Sequence, residues 1–132
     1  MSQDYYFLLM PGFSVMGFVS AVEPLRVANR FGGELYRWHV LSVDGGAVVA
    51  SNGMSVNADA ALEPLKKGTT LWVVAGFEPL KFCTPALEHW LRRLDHEGVT
   101  LGGIDTGSFI LAQAGLLDGH RLTLHWEALG AF

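Results

Sequence analysis

One short stretch of the chain combines glycines with a single charged side chain in a pattern that is typical of a functional turn. Residues 101–109 are LGGIDTGSF, an apolar strand followed by Asp105 and then by the start of a helix. This order is typical of a nucleophile elbow, a tight strand-to-helix turn that projects one side chain above the sheet. The unpaired N–H groups at the start of the helix suit an anion or an oxyanion. The apex residue is Asp105, where many hydrolases carry a serine or a cysteine.

Several interpretations of Asp105 are open. It can cap the helix that begins at Thr106, because aspartate is a favoured N-cap residue. It can contact a ligand or partner as a fixed anion, or it can be a nucleophile, as in some hydrolases. His125, which lies before Trp126 at the end of a predicted strand, is either a structural hydrogen-bond donor or a pocket residue beside Asp105.

The remaining reactive side chains do not predict a cofactor or a metal site. The histidines lack the i, i+4 spacing and the clustered carboxylates that metal ligands need. The sequence also has no GxGxxG or P-loop pattern, so nucleotide binding is not supported. A single cysteine, Cys83, excludes an internal disulfide and fits a reducing compartment. We therefore expect no cofactor.

Composition and charge exclude several classes of protein. The 132 residues are 50% hydrophobic, enough to bury a core and to exclude disorder. Nine Lys plus Arg against thirteen Asp plus Glu give a net charge of −4, and the cations do not cluster as phosphate binding requires. No apolar run approaches the roughly 20 residues that span a bilayer. We expect a cytoplasmic protein that contacts no membrane and binds no DNA by itself.

Alternating strands and helices must position Asp105. Apolar runs predict strands over residues 5–10, 35–43, 69–75, 99–104 and 122–126, and Asn52-Gly53 predicts a hairpin between residues 47–50 and 54–57. Helices are predicted over residues 14–29 (with Ser14 as N-cap and a kink or break at Pro24), 59–65, 84–97, 106–117 and from 127 onward.

This alternation predicts an α/β fold, a flavodoxin-like open sheet that is mainly parallel and has helices on both faces. Ligands of such sheets bind beyond the carboxyl ends of the strands, so the residues that follow the strands should converge there. The residues expected to line this site are Gly12, Phe13, Gly76, Phe77, Asp105, Thr106, His125 and Trp126.

A family resemblance is carried by residues 103–127. The segment GIDTGSFILAQAGLLDG, followed by LTLHWE, resembles the ThiJ/PfpI-type (class I glutamine-amidotransferase-like) domain. It is most similar to the N-terminal domain of AraC-family transcriptional regulators, and the turn at residues 11–13 and the helix at 23–29 fit the same group. The resemblance implies a homodimer that binds a small-molecule effector, with DNA bound only through a C-terminal helix-turn-helix domain outside residues 1–132. We expect residues 1–132 to be one sensor and dimerisation domain, truncated at its C-terminal end.

The departures from the enzymes of this superfamily predict that no residue is catalytic. Those enzymes carry a cysteine at the elbow, an acid on the first helix and often a histidine. His125 matches the histidine, but Asp105 replaces the cysteine and the acid position falls near Gly17. The nearest acid on the same predicted helix, Glu23, lies about two helical turns beyond Gly17 and so does not match the acid position of the enzymes.

The effector class also follows from the resemblance, since relatives in this group respond to amino-acid or quaternary-amine nutrients. A fixed anion at Asp105, near Phe77 and Trp126, would suit a cationic ligand through charge pairing and cation–π contact. Two alternatives remain. One is a hydrolase, amidase or glyoxalase-type enzyme that uses Asp105 and His125. The other is a dimerisation module without a ligand.

Overall fold

Residues 3–116 are described by the computed structural model, and they form a parallel sheet with helices on both faces. Within these residues the strands are β1 (Gln3–Leu9), β2 (Tyr36–Leu41), β3 (Val48–Val49), β4 (Ser55–Val56), β5 (Thr70–Ala75) and β6 (Thr100–Asp105). The helices are α1 (Val15–Gly32), α2 (Pro85–His96) and α3 (Gly107–Gln113), with a short 3-10 helix at Pro79–Phe82.

The main sheet has the order β2-β1-β5-β6, and all of its neighbouring strands are parallel. The register pairs Leu9 with Val74 and Ala75 with Asp105, so the ends of β1, β5 and β6 reach the same edge. The predicted flavodoxin-like α/β fold is therefore confirmed.

Each face of the sheet has its own core. Side chains alternate along β1, with Leu8 on one face and Phe7 on the other. The face with Leu8 packs against α2 and α3, through buried residues such as Leu91 and Ile110. The face with Phe7 packs against α1, whose sheet-facing side chains are Phe18, Val22 and Leu25.

Local signals set the starts of the two longer helices as predicted. The Ser14 hydroxyl accepts a hydrogen bond from the Gly17 N–H at 3.1 Å, and the Thr84 hydroxyl accepts one from the Leu87 N–H at 3.2 Å. The predicted break at Pro24 is wrong, because α1 continues through it. Pro24 and the preceding turn at Ser20 are exposed, so water can satisfy the carbonyl that loses its helical partner.

The predicted helix over residues 59–65 is also wrong. This segment instead follows the edge of β2, where the Asp59 carboxylate accepts a hydrogen bond from the Val40 N–H at 2.8 Å. Ala60 forms a bridge with Leu41. The unpaired backbone of the edge strand thus competes with the helix, and Pro64 does not favour one.

The hairpin predicted around Asn52-Gly53 is confirmed by the antiparallel pair β3 and β4. Gly53 has φ +88°, a conformation that glycine adopts without steric cost. The strand predicted over 122–126 and the helix predicted from 127 lie outside the described residues. Among residues 3–116, no helix is long and apolar enough to cross a membrane.

Candidate functional site

The turn between β6 and α3 has the predicted elbow geometry. Asp105 is the last residue of β6 and has φ +57°, in the left-handed region that residues with a side chain rarely adopt. Small neighbours are required for steric reasons. A Cβ on Gly107 would lie 1.9 Å from the carbonyl oxygen of Val73, and one on Gly103 would lie 2.4 Å from the backbone nitrogen of Ser108.

Thr106, and not Asp105, is the N-cap residue of α3. The Thr106 hydroxyl donates a hydrogen bond to the carbonyl oxygen of Gly76, which joins the elbow to the end of β5. Within residues 3–116, the half-buried Asp105 carboxylate makes no hydrogen bond. The interpretation of Asp105 as a simple helix cap is therefore wrong, and its carboxylate is not engaged by the helix that it precedes.

The turns after β1 and β5 meet beside the elbow. Phe13 and Gly76 form an antiparallel bridge, and a Cβ on Gly76 would lie 2.1 Å from the carbonyl oxygen of Gly12. The Phe13 side chain is fully buried and packs edge-on against Phe18, with ring centroids 6.2 Å apart. Phe13 therefore supports the site from the core, whereas Gly12 and Gly76 supply closely packed backbone.

Phe77 and Glu78 follow β5 at the same edge of the sheet. The Phe77 side chain is 84% exposed, and Glu78 has φ +52°. Among the described residues, Glu78 and Asp105 are the two that are not glycine and have positive φ. Such strained residues cluster at functional sites, where the surrounding structure holds them. Sequence reasoning missed Glu78, because no glycine or turn motif marks its conformation.

The start of α1 packs directly beneath the elbow. A Cβ on Gly17 would lie 3.1 Å from Cγ2 of Ile104, the residue before Asp105. The family resemblance puts the acid of the superfamily's enzymes near this position, which a glycine occupies in this chain. Glu23, further along α1, forms an exposed ion pair with Arg26, with Oε2 2.5 Å from Nε.

Cys83 lies between the 3-10 helix and α2, outside the elbow turn itself. Burial raises the pKa of the half-buried Cys83 thiol, and the neighbouring Glu88 carboxylate, with Oε2 3.8 Å from Sγ, adds to the effect. A raised pKa disfavours the thiolate, so this thiol is not activated as a nucleophile. His125 and Trp126 lie outside the described residues. Among residues 3–116, no three side chains of metal-binding type come together.

Comparison with protein families identifies the family to which this fold belongs. Residues 4–131 match the model of the DJ-1/PfpI family. The chain belongs to this family. An AraC-family transcriptional regulator from Pseudomonas putida shares the DJ-1/PfpI fold with a TM-score of 0.86 at 30% identity, over 98% of this chain and 70% of that one.

Several curated relatives of this DJ-1/PfpI chain are named as transcriptional regulators. The chain is 78% identical over 132 residues to the HTH-type transcriptional regulator CdhR of Pseudomonas aeruginosa, covering all of this chain and 39% of the relative. It is 42% identical over 130 residues to the HTH-type transcriptional regulator GbdR of the same species, covering 98% and 35%. The chain thus spans less than two fifths of these relatives. The resemblance to the N-terminal domain of AraC-family regulators is confirmed.

Proposed function

We propose that this chain is the ligand-sensing and dimerisation domain of an AraC-type transcriptional regulator and that it catalyses no reaction. The observation that carries the proposal is Asp105, held at the apex of the elbow with φ +57°. The turn keeps the geometry that presents a reactive group above the sheet. The group presented there is a carboxylate, which suits the recognition of a cation.

The absence of catalysis is supported by the neighbours of Asp105. An activated nucleophile needs an adjacent base or a group that adjusts its protonation. Gly17 packs against Ile104 at the position expected for the acid, so α1 offers no such group. Cys83 follows the 3-10 helix after β5 and does not stand at the elbow.

The proposed effector is a small nitrogenous cation. Asp105 ends β6 and Glu78 follows the neighbouring strand β5, so two carboxylates lie at the carboxyl edge of the sheet, with Glu78 Oε2 3.8 Å from Lys81 Nζ in an exposed ion pair. The exposed ring of Phe77 lies next to Glu78 in the chain and can cover a quaternary amine through a cation–π contact. We propose that His125 and Trp126 complete this site.

DNA recognition belongs, in this proposal, to a helix-turn-helix region outside these 132 residues. The net charge of −4 offers no cationic surface that could release counterions from a duplex. Residues 1–132 alone should therefore give no specific shift in a gel-mobility assay. A salt-sensitive, sequence-specific complex formed by this chain would contradict the assignment.

A thermal-shift screen with arginine, carnitine and glycine betaine tests the effector class. At least one of these cations should raise the melting temperature of the wild-type chain, and Asp105→Asn should abolish the shift. For carnitine and glycine betaine, the matched probe replaces the quaternary nitrogen with carbon, which keeps the shape and the carboxylate and removes the positive charge. For arginine, the matched probe is citrulline, whose neutral urea group replaces the guanidinium. An equal shift with the matched probe, or no shift with any of the three compounds, would contradict a cation site at Asp105.

A second candidate is an enzyme of the hydrolase, amidase or glyoxalase type, which the preserved elbow geometry favours. That alternative predicts turnover of a glyoxal or an ester substrate, with Asp105 and His125 as the reacting residues. Turnover that disappears in Asp105→Asn would overturn the sensor proposal. We expect none in either protein.

A further inference from the structure

The segment between β5 and α2 is exposed although it is rich in apolar residues. Residues 77–82 are FEPLKF, and no residue of the 3-10 helix within them is buried. The large apolar side chains remain in contact with solvent, with exposed fractions of 84% at Phe77, 43% at Leu80 and 42% at Phe82. Both ends of the segment are fixed, since Gly76 accepts the hydrogen bond from Thr106 and the Thr84 hydroxyl caps α2. The 77–82 segment is thus a short exposed connection between two fixed points.

A lysine in this segment contacts a carboxylate and an aromatic ring. The Lys81 ammonium nitrogen, Nζ, lies 3.8 Å from Oε2 of Glu78 and 5.6 Å from the centroid of the Phe82 ring. A carboxylate and an aromatic face are the two kinds of partner that bind a nitrogenous cation. Lys81 therefore makes, within its own chain, the type of contact proposed above for the effector.

We infer that Lys81 is a tethered cation that occupies part of the effector site in the free chain, and that a nitrogenous effector displaces it from Glu78. The occupied subsite consists of the Glu78 carboxylate and the Phe82 ring, and it takes a quaternary amine, a protonated amine or a guanidinium. The inference rests on the proposed effector site and adds a competitor that regulates it.

Glu78 and Asp105 are close enough to bind one small molecule together. Asp105 pairs in register with Ala75, and neighbouring strands are about 4.8 Å apart. Glu78 lies three residues beyond Ala75, and three extended residues span at most about 11 Å. The Cα atoms of Glu78 and Asp105 are therefore separated by no more than about 16 Å, a gap that the two side chains and a small amine between them can span.

The ion pair of Lys81 and Glu78 is weak enough to be exchanged. Both side chains are well exposed, 63% at Lys81 and 74% at Glu78, and 3.8 Å is long for a direct ion pair. Exposed ion pairs stabilise a fold little. The positive φ of Glu78, by contrast, costs free energy in a residue that has a side chain. Stability does not explain this arrangement, and cation exchange at the site does.

Displacement of Lys81 frees the 77–82 segment from its internal ion pair. Phe77 is adjacent to Glu78, and the 3-10 helix packs beside α3, which begins just after Asp105. Binding at Asp105 and release of Lys81 therefore act on the same exposed apolar surface. This surface can report the presence of the effector to the rest of a regulator.

Calorimetric titration with arginine, carnitine and glycine betaine tests the inference. Lys81→Met removes the ammonium and keeps an unbranched side chain, so the compound that binds wild type should bind this variant at least threefold more tightly. Lys66→Met is the matched control, because it changes the net charge equally at an exposed position before β5, at the opposite edge of the sheet. Salt screens a charge at that distance, so its affinity should stay within about 1.5-fold of wild type. Melting temperatures close to wild type should show that both variants fold.

A double-mutant cycle separates the release of Glu78 from a general effect of charge. In a Glu78→Gln background, Lys81→Met should change the affinity by less than about 1.5-fold, because no carboxylate is left for Lys81 to release. An equal gain from Lys81→Met with and without Glu78→Gln would overturn this inference but not the proposed effector. So would equal affinities of Lys81→Met and Lys66→Met. Failure of all three compounds to bind wild type and Lys81→Met, or binding that Asp105→Asn leaves unchanged, would overturn both.

Discussion

The hydroxyl of Thr106 donates a hydrogen bond to the carbonyl oxygen of Gly76 and so ties the end of β6 to the end of β5. Both residues are buried, and the bond spans the two turns that border Asp105. The left-handed backbone at Asp105 is therefore held by contacts on its neighbours and not by any hydrogen bond of its own carboxylate within residues 3–116.

Thr106→Val should destabilise the fold, because it removes the donor and leaves the buried Gly76 carbonyl without that partner. Loss of such a bond costs about 1–3 kcal/mol in the free energy of unfolding. Thr106→Ser keeps the hydroxyl and should recover most of the loss. Urea denaturation of the three proteins provides the comparison, and equal midpoints for Val and wild type would show that the bond contributes nothing.

Substitutions at Asp105 should separate its backbone role from its charge. Asp105→Ala should lower the free energy of unfolding by about 1 kcal/mol, because alanine disfavours the left-handed region that aspartate, asparagine and glycine tolerate better. Asp105→Asn and Asp105→Gly should stay within about 0.5 kcal/mol of wild type. A large loss in Asp105→Asn, measured by denaturation, would instead mean that the negative charge itself holds the fold.

Gly107→Ala should disrupt the docking of α3 on the sheet. Its Cβ would lie 1.9 Å from a carbonyl oxygen of β5, where the backbone cannot move aside. We expect a loss of more than about 3 kcal/mol, or no folded protein. Gly32→Ala is the matched control, since its Cβ meets only the flexible end of Leu35 at the end of α1. A Gly107→Ala chain as stable as the control would contradict the close packing of the elbow.

Asp4 should make the stability depend on pH. A hydrogen bond from His39 to its carboxylate, with Nε2 3.0 Å from Oδ1, holds the pKa of Asp4 below the usual value, and Arg37 adds to this while burial opposes it. A carboxyl whose pKa is lowered on folding stabilises the fold above its unfolded pKa, here about 3.8, and the contribution disappears as the pH falls through the folded value. Asp4→Asn should thus be less stable than wild type at pH 6, and the difference should shrink below pH 4. A difference that stays constant down to pH 2 would exclude this linkage.

The parts of the fold that sequence predicts are those where one local signal decides the outcome. Ser14 and Thr84 start helices because their hydroxyls accept hydrogen bonds from N–H groups three residues ahead. The elbow could be predicted because its glycines are required: a side chain on them would overlap the backbone of Val73 or Ser108. These constraints lie within a few residues of the chain or within one strand–turn–helix unit.

The features that sequence did not predict depend on distant contacts. The segment at 59–65 lies along the edge of β2 because the Asp59 carboxylate accepts a hydrogen bond from the Val40 N–H. A local sequence pattern cannot predict this contact with a residue so far away in the chain. Glu78 adopts the left-handed conformation where β5 leads into the 3-10 helix. The sequence does not predict this conformation, because no glycine occupies the position. The sequence did not predict that four large apolar side chains of α1 are exposed, because Met16, Val19, Val27 and Phe31 interleave with residues that face the sheet.

Calorimetric titration of wild-type and Asp105→Asn chains with the most effective cation of the thermal-shift screen tests the central claim most directly. If the apex carboxylate is a recognition group, Asp105→Asn should weaken binding by at least tenfold, equivalent to about 1.4 kcal/mol, with an unchanged melting temperature of the free protein. Equal affinity of the two proteins for that cation would contradict the account.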